Sequence, residues 1–346
     1  MINSLLGLDA IELGVIARQL GEKPFRGKQM ADWLYSKGVR QIDEMNNLPG
    51  DFKSALSKAY TPGRSTVIRT SRSKDRTFKL LLRLMDGECI EAVGMPYKER
   101  FSCCVSTQVG CPVGCLFCAT GNSGFKRNLS AGEIIDQVLS VGEFAYRQKI
   151  VGEMKRINNI VFMGMGEPLL NYDATIKAVH LLNGEMGIGM RNITISTIGY
   201  VPGIYKLAEE RLQLTLAISL HAADDELRRK IVPGMSGYKI RDIIQAGRAY
   251  FQETGRRVTY EYCLLGGVND SFTNANKLAE LLKDLNCHVN LIPFNSVAGS
   301  GFHTPDQENI NRFYSVLEKA HIAVTVREQR GEAIQAACGQ LRGGLI

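Results

Sequence analysis

Apolar residues in roughly the first 60 positions recur every three or four residues. "AIELGVIARQL", "GKQMADWLYSKG" and "LPGDFKSALSKAY" each gather them on one helical face, so three short helices are expected before "TPG" at 61–63 breaks the pattern. The period then shortens. "TFKLLLRLM" and "ECIEAVGM" are β-prone runs joined by Asp86-Gly87, a hairpin signal. From Phe101 onward, apolar β-rich runs ("FSCCVSTQ", "INNIVFMGMG", "NITISTIG", "LTLAISLHA", "RVTYEYCLL", "HVNLIPFN") alternate with helical patterns. The first of those helices opens with Ser130 and Glu133 at capping-box spacing. Strands so uniformly apolar are buried on both faces, which requires a parallel sheet covered by helices.

Six such units fall short of a closed eight-unit barrel. The expected fold is therefore α/β: a partial (β/α)6 TIM-like barrel with a small N-terminal helical domain and a β-hairpin extension. The boundaries expected are 1–62 for the helical domain, 63–97 for the hairpin, 98–331 for the barrel and 332–346 for a C-terminal loop. A further helix, "NINRFYSVLEKAH", and a strand, "IAVTVRE", follow the sixth unit.

Composition adds little to this picture. The chain has 346 residues, 45% hydrophobic and 22% charged, as ordinary globular proteins do. "MINSLLGLDAIELGVIARQL" carries acids at Asp9 and Glu12 and lacks a basic leader, so it does not read as a signal peptide. No run approaches the length of a membrane span, and a cytoplasmic protein with no membrane partner is expected. The net charge of +7 is compatible with a polyanion. Arg64, Arg69, Arg72, Lys74, Arg76, Lys79 and Arg83, against the single acid Asp75, form a dense basic run. It reads either as phosphate-contacting or as a solvated strand face.

The chain has nine cysteines, an odd number that argues for metal binding or catalysis rather than a disulfide framework. Cys89, Cys103, Cys263 and Cys287 lie in apolar surroundings and read as small hydrophobes. "GCPVGCLFCATG" is different: it places Cys111, Cys115 and Cys118 within eight positions. The spacing alone suits three corners of a four-iron cluster, or zinc completed by a histidine. Its position after the first barrel strand favours the cluster, because strand C-termini converge on one rim. "GMGEP" after the second strand, Ser196 in the third, "SLH" (Ser219, Leu220, His221) ending the fourth and Asn295 after the sixth meet at that rim.

With these residues in place, "CPVGCLFC" resembles the C-x3-C-x-aromatic-C signature of the radical S-adenosylmethionine (SAM) superfamily. "CVSTQVGC", "FCATGNSGFKRNL", "MGMGEPLLN", "SLHA" and "AACGQL" make the chain similar, over essentially its whole length, to the radical SAM RNA methyltransferases that modify adenine at C2 or C8. The resemblance implies one [4Fe-4S] cluster on Cys111, Cys115 and Cys118, with two SAM molecules consumed per methylation. Phe117, Gly166, Glu167, Ser196, Ser219, Leu220, His221 and Asn295 would contact SAM. Cys338 would carry a methyl group, from which a SAM-derived radical removes hydrogen before addition to the base. Cys104 would release the product through a transient disulfide, and Glu91 would act as general base. Implied partners are 23S rRNA (at the peptidyl-transferase centre), the tRNA anticodon loop, and an electron donor such as flavodoxin or ferredoxin.

Bland roles stand beside these: Glu167 as a helix N-cap partner, His221 as a satisfied strand-end histidine, and Glu91 as a solvent-facing hairpin residue. Cys338, eight residues from the end, is expected to be mobile; a buried thiol is the competing picture. Departures from the family pattern are Ala333 and Gln335 where aspartates are usual, Ser296 after Asn295, "IVPGMSGY", and the extra thiol Cys103. "GFKRNL" favours C2 over C8. A zinc-containing RNA-binding protein without catalysis is the alternative from another class, and a radical SAM enzyme acting on a peptide or small molecule is a third reading.

Overall fold

The computed structural model describes residues 2–150 and 156–343. One ten-stranded sheet organises them: β1 Thr66–Arg72, β2 Phe78–Arg83, β3 Cys89–Pro96, β4 Phe101–Cys104, β5 Asn159–Phe162, β6 Ile193–Thr197, β7 Thr215–Ser219, β8 Val258–Leu264, β9 Cys287–Pro293 and β10 Ala323–Val326. Spatial order follows chain order throughout. The strands from β4 to β10 are parallel, with helices in every connection, and those from β1 to β4 are antiparallel. This is the expected partial barrel, with β10 added at its edge.

Local chemistry explains the elements. Helix Ala131–Arg147 opens with the foreseen capping box: Glu133 N–H donates to Ser130 Oγ at 3.2 Å, and Ser130 N–H to the Glu133 carboxylate at 2.8 Å. It buries Ile134, Ile135, Val138 and Val141. Arg83 pairs with Cys89 across the Asp86-Gly87 turn, as that dipeptide predicts. The hairpin is not an appendage, however. β3 pairs with β4, and a third strand, β1, joins the outer side of β2, so the whole unit continues the barrel sheet.

The N-terminal helices Ala10–Gln19, Arg26–Ala31 and Gly50–Ala59 pack their apolar faces into the same hydrophobic core as the barrel. Gly7 and Gly132 bring the unit against the start of the long helix, at a spacing where a Cβ on Gly7 would stand 2.8 Å from Gly132 N. The basic run is partly consumed by this docking. Arg64 is buried in ion pairs with Asp136 and Glu143, Lys79 in one with Glu91, and Arg76 binds the carbonyl of Ile150. Arg64 and Lys79 are thereby engaged inside the fold rather than on a phosphate-binding face, while Arg76 remains exposed. Among the described residues, no helix is long and apolar enough to cross a membrane.

Candidate active site

The cysteine loop is built on close backbone approaches. Gln108–Gly110 pairs antiparallel with Phe125–Asn128 and closes the loop at its base. Gly110 has φ +75°, and a Cβ there would fall 1.8 Å from the Gly124 carbonyl, so only glycine fits. The loop docks on "IVPG": Leu116 N–H donates to Ile231 O at 3.1 Å and Gly234 N–H to Val113 O at 3.0 Å.

Cys111, Cys115 and Cys118 thereby line one cavity of about 160 Å³ at the C-terminal ends of the barrel strands. Phe117, Gly166, Glu167, Ser196, Ser219 and His221 line it too. Burial pushes the Cys111 thiol up to about 12 and raises Cys115 and Cys118 as well. Among the described residues, no three His, Cys, Asp or Glu side chains gather tightly enough to hold a single metal ion.

The polar rim is internally braced. Glu167 caps the turn Pro168–Asn171 by accepting N–H from Leu169 at 3.0 Å, and its other oxygen accepts from Ile198 at 2.7 Å. Burial raises its carboxyl to about 7. The N-cap role is thus present alongside the cavity position. His221 Nδ1 accepts the Cys263 N–H at 3.0 Å, which places the ring proton on Nε2. Its ring meets Phe117 edge-on at 4.9 Å, and burial depresses its basicity to about 3. Ser196 and Ser219 face each other with hydroxyls 3.4 Å apart. Leu220, just past the end of β7, has its side chain in the hydrophobic core.

Cys338 also lines this cavity, and it lines a second one of about 40 Å³ that holds Cys104. Asn295 borders the second cavity rather than the first. Cys103 is fully buried on the opposite face of β4 from Cys104, turned away from Cys338. All nine cysteines are free thiols.

The C-terminal segment is held rather than loose. Ala119 N–H donates to Gly339 O at 2.7 Å, Thr120 Oγ1 to Leu341 O at 2.6 Å and Gln340 Nε2 to Ser296 O at 2.8 Å. The final residues of the expected C-terminal loop, 344–346, lie outside the described residues. Glu91 is buried rather than solvent-facing; its carboxylate pairs with Lys79 and accepts N–H from Arg342 and Gly343 of that segment.

Three residues escaped the sequence reading. Arg327 borders both cavities, with Nη1 3.7 Å from Met163 Sδ; Cys338, and then Glu261 and Cys104, favour its charged form. Glu261 is a buried acid within the apolar run "TYEYC", a signal that was legible. Arg228, buried beside Cys115, donates to the carbonyls of Leu220 and Ile198.

Comparison with known proteins matches this geometry to a family. Residues 105–279 match the profile described as the radical SAM superfamily, and residues 3–61 the ribosomal RNA large subunit methyltransferase N-terminal domain. The probable dual-specificity RNA methyltransferase RlmN of Microcystis aeruginosa is 46% identical, covering 99% of each chain. Its counterpart from Thermosynechococcus vestitus is 45% identical over 98% of each. A radical SAM methyltransferase crystal structure from Sphaerobacter thermophilus superposes with TM-score 0.94 at 45% identity, over 99% of this chain and 100% of that one. These likenesses favour the RlmN-type reading over the C8 alternative and leave no place for a non-catalytic zinc protein. The chain belongs to the radical SAM superfamily and, within it, to the RlmN-type dual-specificity RNA methyltransferases.

Proposed function

We propose that this radical SAM RNA methyltransferase methylates C2 of adenosine in 23S rRNA and in the tRNA anticodon loop, using Cys338 as methyl carrier. One observation carries the reading: Cys338 stands between a cavity bearing three thiols from a single loop and a cavity bearing Cys104. Cys111, Cys115 and Cys118 would hold a [4Fe-4S] cluster, and their softness as donors suits it. A cluster bound there would supply the electron that cleaves SAM and so generates the carbon radical needed at an electron-poor ring carbon.

The chain's own residues do the rest. Phe117 and His221 form an aromatic corner for the SAM adenine, while Gly166, Glu167, Ser196 and Ser219 supply backbone and polar contacts around it. Asn295 braces the Cys338 carbonyl, and Leu220 contributes backbone only. Cys338 accepts a methyl group as thiolate. A SAM-derived carbon radical would take one hydrogen atom from that methyl so that its carbon bonds to C2, and the unpaired electron left on the ring would pass to a one-electron acceptor such as the oxidised cluster. Glu91 takes the proton from the substituted ring carbon. Cys104 thiolate attacks the Cys338 sulfur: an S–S bond forms, the C–S electron pair leaves with carbon, and that carbon takes up a proton to become methyl. A two-electron donor must reduce the disulfide before the next cycle, and a protein donor such as flavodoxin or ferredoxin would feed the cluster. Residues 1–62 and the hairpin at 63–97 would steer RNA to the barrel, 98–331, and to the Cys338 segment, 332–346.

Anaerobic reaction with rRNA and tRNA fragments, followed by nucleoside mass spectrometry, tests this. 2-Methyladenosine supports the reading; 8-methyladenosine or unmodified RNA overturns it.

A further inference from the structure

Lys79 is a buried cation on a strand that ends at a surface turn, a costly place for an ammonium without a partner. The register pairs Lys79 with Val93 and Leu81 with Glu91, so Lys79 and Glu91 are diagonal neighbours on one sheet face. Lys79 Nζ lies 2.8 Å from Glu91 Oε1 and donates at 2.8 Å to the carbonyl of Gln335, three residues before Cys338. The other carboxylate oxygen of Glu91 accepts N–H from Arg342 at 2.7 Å and Gly343 at 3.3 Å, beyond Cys338. One ion pair therefore grips the methyl-carrying segment on both sides of its cysteine. Gln335 has φ +53°, a strained conformation for this residue, and its carbonyl meets Lys79 from there.

A purely structural contact here would be served as well by apolar side chains of similar volume. We propose that Lys79 is a positioning residue for proton removal: it keeps the Glu91 carboxylate and the Cys338 segment in fixed relation. The proposal rests on the reading of Glu91 as general base. In that step the ring radical loses one electron to a one-electron acceptor such as the oxidised cluster, the proton on the substituted ring carbon passes to Glu91, and the electron pair of the broken C–H bond restores the aromatic ring. Oε1, which Lys79 leaves with a free lone pair, takes the proton while Oε2 keeps the amides of Arg342 and Gly343.

Full-length Lys79→Met, Lys79→Gln, Lys79→Arg and Glu91→Gln variants test this with two readouts. In hydrogen exchange of the purified chain, the Arg342 and Gly343 amides exchange about tenfold faster in Lys79→Met and Lys79→Gln, and Lys79→Arg restores protection. In anaerobic reaction with an RNA fragment, Lys79→Met and Lys79→Gln still acquire the methyl on Cys338. Release of RNA from the covalent adduct slows about tenfold in both, and Lys79→Arg recovers it. Release at the wild-type rate from the Met and Gln variants, while Glu91→Gln retains adduct, overturns the role of Lys79. Normal release from Glu91→Gln overturns the base reading itself, and this proposal with it.

Discussion

Asn295 donates its side-chain N–H to the carbonyl of Cys338 at 3.1 Å, while its own Oδ1 stays buried with no hydrogen-bond partner among the described residues. The first contact pins the Cys338 backbone to the end of the sixth barrel strand. The second leaves an acceptor whose burial costs about 1–3 kcal/mol unless a ligand satisfies it. Asn295→Ala removes both. It is expected to change the stability of the unliganded chain by less than about 1 kcal/mol, because lost bond and relieved acceptor offset each other. Cys338 methylation, read by intact-protein mass spectrometry, is expected to slow about tenfold.

Burial holds the Cys104 thiol up at about 12, with the charge of Arg327 acting in the opposite direction. A thiol far below its midpoint gains about tenfold in thiolate per pH unit. Release of RNA from the Cys338 adduct, followed by rapid quench, is therefore expected to accelerate about tenfold from pH 7 to 8. Arg327→Gln is expected to slow release at every pH across that range.

His221 titrates near 3 in the folded chain because burial disfavours its cation. Unfolded, it binds a proton below about 6.5, so the unfolded state holds more protons between those values. The stability it contributes is present above pH 6.5 and is lost as pH falls toward 3. Urea unfolding of wild type and His221→Gln checks the sign: from pH 6.5 to 5.5 wild type is expected to lose about 1 kcal/mol more than the variant.

Gly110→Ala places a methyl group against the Gly124 carbonyl at a backbone conformation that L-residues avoid. It is expected to cost about 2 kcal/mol or more and to lower iron incorporation, checked by thermal unfolding and metal analysis.

The architecture was legible because period and order carry it. Six buried strands alternating with helices specify a parallel sheet, and strand C-termini must share a rim, so the three loop cysteines, Ser196, Ser219 and His221 could be placed together. Long-range pairing was not legible. Arg64 and Lys79 look like phosphate ligands until Asp136 and Glu91, distant in sequence, are found against them. Chain position likewise misled for Cys338: terminal residues are mobile only when untied, and hydrogen bonds from Ala119, Thr120, Asn295 and Gln340 tie this segment down. Cys103, read as a small hydrophobe, is fully buried, and its alternation with Cys104 along β4 sends the two thiols to opposite faces.

The position of Cys338 between the two cavities is tested most directly by Cys104→Ala. The reconstituted variant is incubated anaerobically with SAM, reductant and an RNA fragment, and the protein is then digested and sequenced by mass spectrometry. A nucleotide linked through one carbon to the Cys338 sulfur is the expected product, with little free methylated RNA. Full release of methylated RNA, with Cys338 never carrying carbon, would contradict the account.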